Sequence, residues 1–83
     1  MKQNSISNNA IKGIAEDLDG YIWITTSEGI NKIDTKTDKI KRLSEKDGLI
    51  NNYAYGILVD ENNNLWVSTN GGISKFDQRK NTF

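Results

Sequence analysis

The chain has 83 residues, a hydrophobic share of 35%, and eleven Lys plus Arg against eleven Asp plus Glu, so its formal net charge is zero. That length allows one small domain, and the apolar share is low against the roughly 45–50% usual in globular domains, so a lone chain has little with which to enclose a core. Balanced charge, alternating in sign along the chain, excludes the basic field that a nucleic acid or an anionic membrane surface requires.

Cysteine and histidine are both absent. Disulfides, thiolate metal sites and cysteine nucleophiles are excluded together, and zinc, haem and Ser-His-Asp chemistry lose their usual residue. No metal and no cofactor is expected. The longest apolar run, AYGILV at 54–59, falls far short of the ~20 residues of a membrane-spanning helix. The opening MKQNSISNN has no apolar segment and reads as loop rather than signal peptide.

In chain order, residues 11–17 read as a first strand, with Gly13 where a neighbouring backbone could come close. Asp19-Gly20 is a hairpin signal, because the turn needs positive φ. Residues 21–26, YIWITT, are β-branched and aromatic throughout, as in a strand covered on both faces. After Ser27-Glu28-Gly29 a third strand runs over 30–35. A fourth, 39–43, alternates charge with Ile40 and Leu43, as sheet rims do. Residues 44–52 form a linker, and strands return at 53–60, 65–69 and 73–77, with the start of another at 82–83.

The second half repeats the first. A shift of 43 residues aligns Ile6–Ile40 with Leu49–Phe83 without a gap, and 11 of these 35 pairs are identical. Among them are Asp17/Asp60, Trp23/Trp66, Thr26/Thr69, Gly29/Gly72, Ile30/Ile73, Lys32/Lys75 and Asp34/Asp77. A strand-rich period of about 40–50 residues marks a propeller blade. The expected fold is therefore all-β, two four-stranded antiparallel β-propeller blades, 1–47 and 48–83, the second lacking most of its outer strand. Asp17, Trp23, Gly29, Asp60, Trp66 and Gly72 are read as the structural core of the repeat.

Two full periods would be 86 residues against the 83 present, so the tail of one chain and the head of another would nearly complete the missing strand. Head-to-tail association into a ring of roughly three or four chains is one expectation. A piece of a longer repeat array is the other.

The segments DGYIWITTSEGINKID and NNNLWVSTNGGISKFD, with the linker DGLINNYAYGILVD, resemble the two-component regulator propeller repeat. Its usual form is a turn, Leu-Trp-Ile-Gly-Thr, a short turn, then Gly-Leu and a strand ending in Asp. The family's Gly in that core is Thr25 and Ser68 here. The resemblance implies part of the extracytoplasmic, periplasmic sensing region of a membrane-bound hybrid histidine kinase, in a family often linked to carbohydrate, with a glycan as the implied ligand. Kinase activity would lie in other parts of a parent protein, and this segment itself makes no membrane contact. The partners expected are other propeller blades, in the same parent chain or in a homo-oligomer.

Candidate contacts follow from the same frame. In propellers the linker between blades and the turn between the second and third strands share one face, often the binding face, which nominates Glu28, Asn52, Tyr53 and Asn70 for a ligand. Tyr53 and Tyr55 also break the repeat, standing where the first copy has Ala10 and Lys12. The linker repeats Asn8-Asn9 as Asn51-Asn52, side chains that cap turns. Trp23 and Trp66 could stack on sugar rings, but their repeated place in mid-strand points to packing between blades. The acidic turns after Asp17 and Asp60 lack the glutamate and further oxygens of a calcium loop. No carboxylate pair flanks a common point, so no catalytic residue is nominated. A structural self-assembling unit is the alternative function. A propeller lyase is a weaker one, since the lyases that resemble this chain depend on histidine.

Overall fold

The computed structural model describes residues 10–83, so Asn8-Asn9 and the opening loop lie outside the described residues. Seven strands form two antiparallel sheets: β1 (Gly13–Glu16), β2 (Ile22–Thr26), β3 (Gly29–Asp34) and β4 (Lys39–Leu43) in one, and β5 (Ala54–Val59), β6 (Leu65–Thr69) and β7 (Gly72–Phe76) in the other. Each sheet is a meander in sequence order, as in a propeller blade. The fold is all-β, and the second sheet's fourth strand is reduced to one bridge between Asp77 and Thr82. A single 3₁₀ turn, Glu45–Asp47, is the one helical element among the described residues, and it lies in the linker.

The strands differ from the sequence reading at their ends for identifiable reasons. β1 stops at Glu16 because the Asp17 N–H turns back to the Tyr21 carbonyl at 2.9 Å. β3 and β7 begin one residue earlier than expected, at Gly29 and Gly72. Both glycines have positive φ, 115° and 123°, a conformation that leaves side-chain-bearing residues strained. At Gly29 a Cβ would also lie 2.5 Å from the Leu43 carbonyl oxygen.

Cross-strand partners define two faces per sheet. One face of the first sheet carries Ala15, Trp23 and Lys32 with Gly13, Thr25 and Ile30; this is its front. The equivalent front of the second sheet carries Leu58, Trp66 and Lys75 with Ser68 and Ile73. The core is the front of sheet one laid on the back of sheet two. Trp23, Ile30 and Leu43 meet Ala54, Leu65, Val67 and Phe76, with Leu49 of the linker sealing the edge. The Trp23 and Phe76 rings sit 5.8 Å apart, tilted, and Phe76 in turn packs on Phe83 at 4.8 Å. Burying one apolar face of each sheet against the other supplies the main favourable term for so small a chain.

β5 packs against both β1 and β2, and Gly13 is where the two backbones come closest. A Cβ built there would stand 2.5 Å from the Tyr55 carbonyl oxygen and 3.5 Å from the Gly56 Cα. The Thr25 hydroxyl donates a hydrogen bond to that same carbonyl. Gly13→Ala is therefore expected to push the sheets apart and lower stability by about 1–3 kcal/mol. Urea unfolding of the two chains side by side measures the loss.

The expectation that strand 21–26 is covered on both faces holds for β2, where Trp23, Ile24, Thr25 and Thr26 are buried, whereas the front of the equivalent β6 is open. Trp66 is 39% exposed, and Leu58 and Ile73 beside it are 65% and 69% exposed. No third sheet lies on that front among the described residues.

Candidate functional site

The turns and the linker build two different ends of the molecule. At one end sit the acidic hairpins. The Asp17 carboxylate caps its own turn, Oδ1 accepting from the N–H groups of Asp19 and Tyr21 at 2.9 and 3.0 Å. Oδ2 accepts the Trp23 indole N–H at 2.8 Å and the Gln78 amide at 3.1 Å. Asp60 repeats the device, with Asn62 and Asn64 N–H groups on Oδ1 and the Trp66 indole on Oδ2, each at 2.9 Å. Each Asp therefore folds a turn and fixes the rotamer of the Trp six residues on.

These bonds also set the protonation state. Burial alone would raise the pKa of Asp17, but the bonds from Trp23, Gln78 and the turn amides outweigh it, and the pKa falls below its ordinary 3.8. The Trp66 bond, with the Asn64 and Asn62 amides, lowers that of Asp60. Oxygens holding four N–H donors at Asp17 and three at Asp60 leave little to offer a cation. The acidic turns are caps. Among the described residues no group of three or more acidic side chains is placed to hold a metal.

Two residues tie this end across the sheets. The Leu18 N–H donates to Asn63 Oδ1 at 2.7 Å, and the Asn63 amide donates to Asp19 at 3.0 Å. The Gln78 amide bridges Asp17 and the Asn63 carbonyl, while its oxygen accepts from Lys32 Nζ at 3.2 Å. Gln78 stands where the first copy has Thr35. The sequence reading passed it over, although departure from the repeat was the available signal.

The opposite end gathers the four residues nominated for a ligand. The Gly29 N–H, next to Glu28, donates to the Asn52 carbonyl at 2.7 Å, and the Asn70 N–H donates to the Tyr53 carbonyl at 3.1 Å. Glu28, Asn52, Tyr53 and Asn70 are thus strung along one backbone seam between linker and turns. Their side chains are engaged differently. Asn52 closes the linker, its Oδ1 accepting from the Glu45 N–H at 2.7 Å while its own N–H donates to Glu45 Oε2 at 2.8 Å. The Tyr53 ring lies 5.1 Å from that of Tyr55, and Lys12 Nζ sits 5.1 Å from the Tyr53 centroid. The Tyr55 hydroxyl donates to Asn70 Oδ1 at 2.5 Å.

The arrangement is a small aromatic step, Tyr53 and Tyr55, flanked by one ammonium and one carboxamide. Tyr55 is 41% exposed and Tyr53 half-buried. Lys12 is the first-copy counterpart of Tyr55, so a broken repeat position supplies both the lysine and the ring that meet at Tyr53. Such a surface offers a stacking face and hydrogen-bonding groups but no acid–base pair.

No curated protein matches the chain. Residues 48–71, running from the linker through β5 and β6 to the β6–β7 turn, match the two component regulator propeller family, and over that segment the resemblance to this propeller repeat is shown.

Proposed function

We propose that the chain is a non-catalytic propeller segment of a sensor module, binding its ligand at the linker end through Tyr53, Tyr55, Asn70 and Lys12, with Glu28 and Asn52 bordering them. The observation that carries this reading is the Tyr53–Tyr55 step, placed where repeat equivalence breaks and where linker and turns converge. Aromatic faces with neighbouring amide and ammonium donors suit the apolar ring faces and hydroxyls of a sugar. The family match supports the sensor assignment, since its description is that of a two-component regulator, and a periplasmic place in a histidine kinase follows from the same resemblance.

Glycan-array binding followed by calorimetry on the best hit tests it. Tyr53→Ala and Asn70→Ala are each expected to weaken binding at least about tenfold, roughly 1.4 kcal/mol, with the fold retained by circular dichroism. Silence across the array, or binding indifferent to both substitutions, overturns the reading.

A further inference from the structure

Three places in the chain set an aspartate or asparagine directly before a glycine: Asp19-Gly20, Asp47-Gly48 and Asn70-Gly71. The pairing matters because a glycine nitrogen, with no Cβ beside it, can reach the carbonyl carbon of the preceding side chain. The fold treats the three differently.

At the first two the glycine nitrogen is committed to the backbone. The Gly20 N–H donates to the Asp17 carbonyl at 3.1 Å and the Gly48 N–H to the Glu45 carbonyl at 3.0 Å. Both glycines have positive φ. The acids before them are engaged as well, Asp19 accepting from the Asn63 amide at 3.0 Å and Asp47 from the Ser44 N–H at 2.9 Å. A carboxylate must also gain a proton before a nitrogen can displace its oxygen, and a carboxamide needs no such step.

Asn70-Gly71 is the loop between β6 and β7, spanned by the paired Thr69 and Gly72. Both residues are exposed. The Gly71 N–H is held by a side chain, donating to the Thr69 hydroxyl oxygen at 3.1 Å. Asn70 Oδ1 accepts the Tyr55 hydroxyl at 2.5 Å, a bond that stabilises charge on that oxygen when its carbon is attacked. Asn70 is the one asparagine of eleven that precedes a glycine.

We propose that Asn70-Gly71 is a self-modification site, where the turn converts asparagine to aspartate and isoaspartate without an enzyme. The Gly71 nitrogen, released from Thr69, bonds to Asn70 Cγ and gives up its proton. The Cγ–Nδ2 bond breaks, and Nδ2 leaves as ammonia with that proton, closing a five-membered succinimide. Water then opens the ring. Cleavage between the nitrogen and Cγ gives aspartate. Cleavage between the nitrogen and the Asn70 backbone carbonyl carbon gives isoaspartate, in which the chain runs through the side chain. One water enters and one ammonia leaves.

The two products act differently on the fold. Aspartate adds one negative charge to a chain of zero net charge and sets a carboxylate against the Tyr55 hydroxyl, where a charge-assisted bond replaces a neutral one. Isoaspartate lengthens the backbone by a methylene inside a two-residue loop, which displaces the Thr69–Gly72 pair and the Asn70 N–H bond to the Tyr53 carbonyl. The equivalent loop of sheet one is Ser27-Glu28, so the reaction is confined to sheet two. It does not depend on the linker end binding a ligand.

The test is to hold the folded chain at body temperature in mildly alkaline buffer and follow each asparagine by peptide mapping, with enzymatic methylation marking isoaspartate. Asn70 is expected to convert at least about tenfold faster than any other asparagine, a barrier lower by roughly 1.4 kcal/mol. Its rate should also lie within about tenfold of that in the urea-unfolded chain, because the fold leaves this turn open. Asn70→Gln keeps the carboxamide but requires a six-membered ring, and should abolish the early conversion with unchanged circular dichroism. Another asparagine converting first overturns the proposal, as does a folded rate more than about tenfold below the unfolded one. An Asn70→Gln chain that gains acid as fast as the parent overturns it equally.

Discussion

Replacing Trp23 by alanine is expected to remove most of the stability of this chain, whereas the same change at Trp66 is expected to cost little. The two residues are repeat equivalents, and each donates its indole N–H to an aspartate six residues earlier. What separates them is burial, 0% exposed against 39%. Trp23 fills the space between the sheets beside Phe76, and Lys32 Nζ lies 5.4 Å from its ring. Truncating so large a buried ring costs about 3–5 kcal/mol. A domain of this size has a total stability of only about 4–12 kcal/mol. Trp66→Ala exposes no new cavity in the single chain and should cost less than about 1.5 kcal/mol. Urea unfolding of both substitutions side by side, at one low protein concentration, measures the two losses. Equal losses at the two positions would contradict the packing described here.

Asp17 is expected to be the next most sensitive position, and its effect should depend on pH. Asp17→Ala removes the acceptor from the buried Trp23 indole and from two turn amides at once. An orphaned buried donor costs about 1–3 kcal/mol, so a loss of at least about 2 kcal/mol is expected. The pKa of Asp17 is lowered in the fold, as are those of Asp60 and, through the Lys36 N–H on its carboxylate, Asp34. A lowered folded pKa means that the folded state holds its proton less tightly than the unfolded chain. The stability these carboxylates supply is therefore complete above their ordinary 3.8 and lost as pH falls through the lower folded values. Urea midpoints taken from neutral pH down to about pH 2 should stay flat and then drop below about pH 4. In Asp17→Asn the midpoint should start lower and the acid drop should be shallower. An unchanged acid limb in that variant would remove Asp17 from the account.

The sequence carried the periodic features. Strand order, the acidic turns and the glycines at 29 and 72 recur every 43 residues, and each is a local demand of backbone geometry. A turn needs positive φ and a capping oxygen, and a strand needs β-branched or aromatic residues, wherever the element ends up in space. Close approach at Gly13 was legible for the same reason, since a glycine in mid-strand has few other uses. The gathering of Glu28, Asn52, Tyr53 and Asn70 at one end followed from the position of linker and turns in a meander. Gln78 showed in the sequence only as a departure from the repeat, and its role was hidden because its partners Asp17, Asn63 and Lys32 are distant along the chain.

What the sequence by itself determined is a pair of equivalent blades with equivalent tryptophans. Only the tertiary structure decided which of the two tryptophans is buried and which is exposed. Packing the front of the first sheet on the back of the second leaves the second sheet's front open, so identical residues become core at Trp23 and surface at Trp66. Repetition specifies the faces, but a stack of two always has two ends.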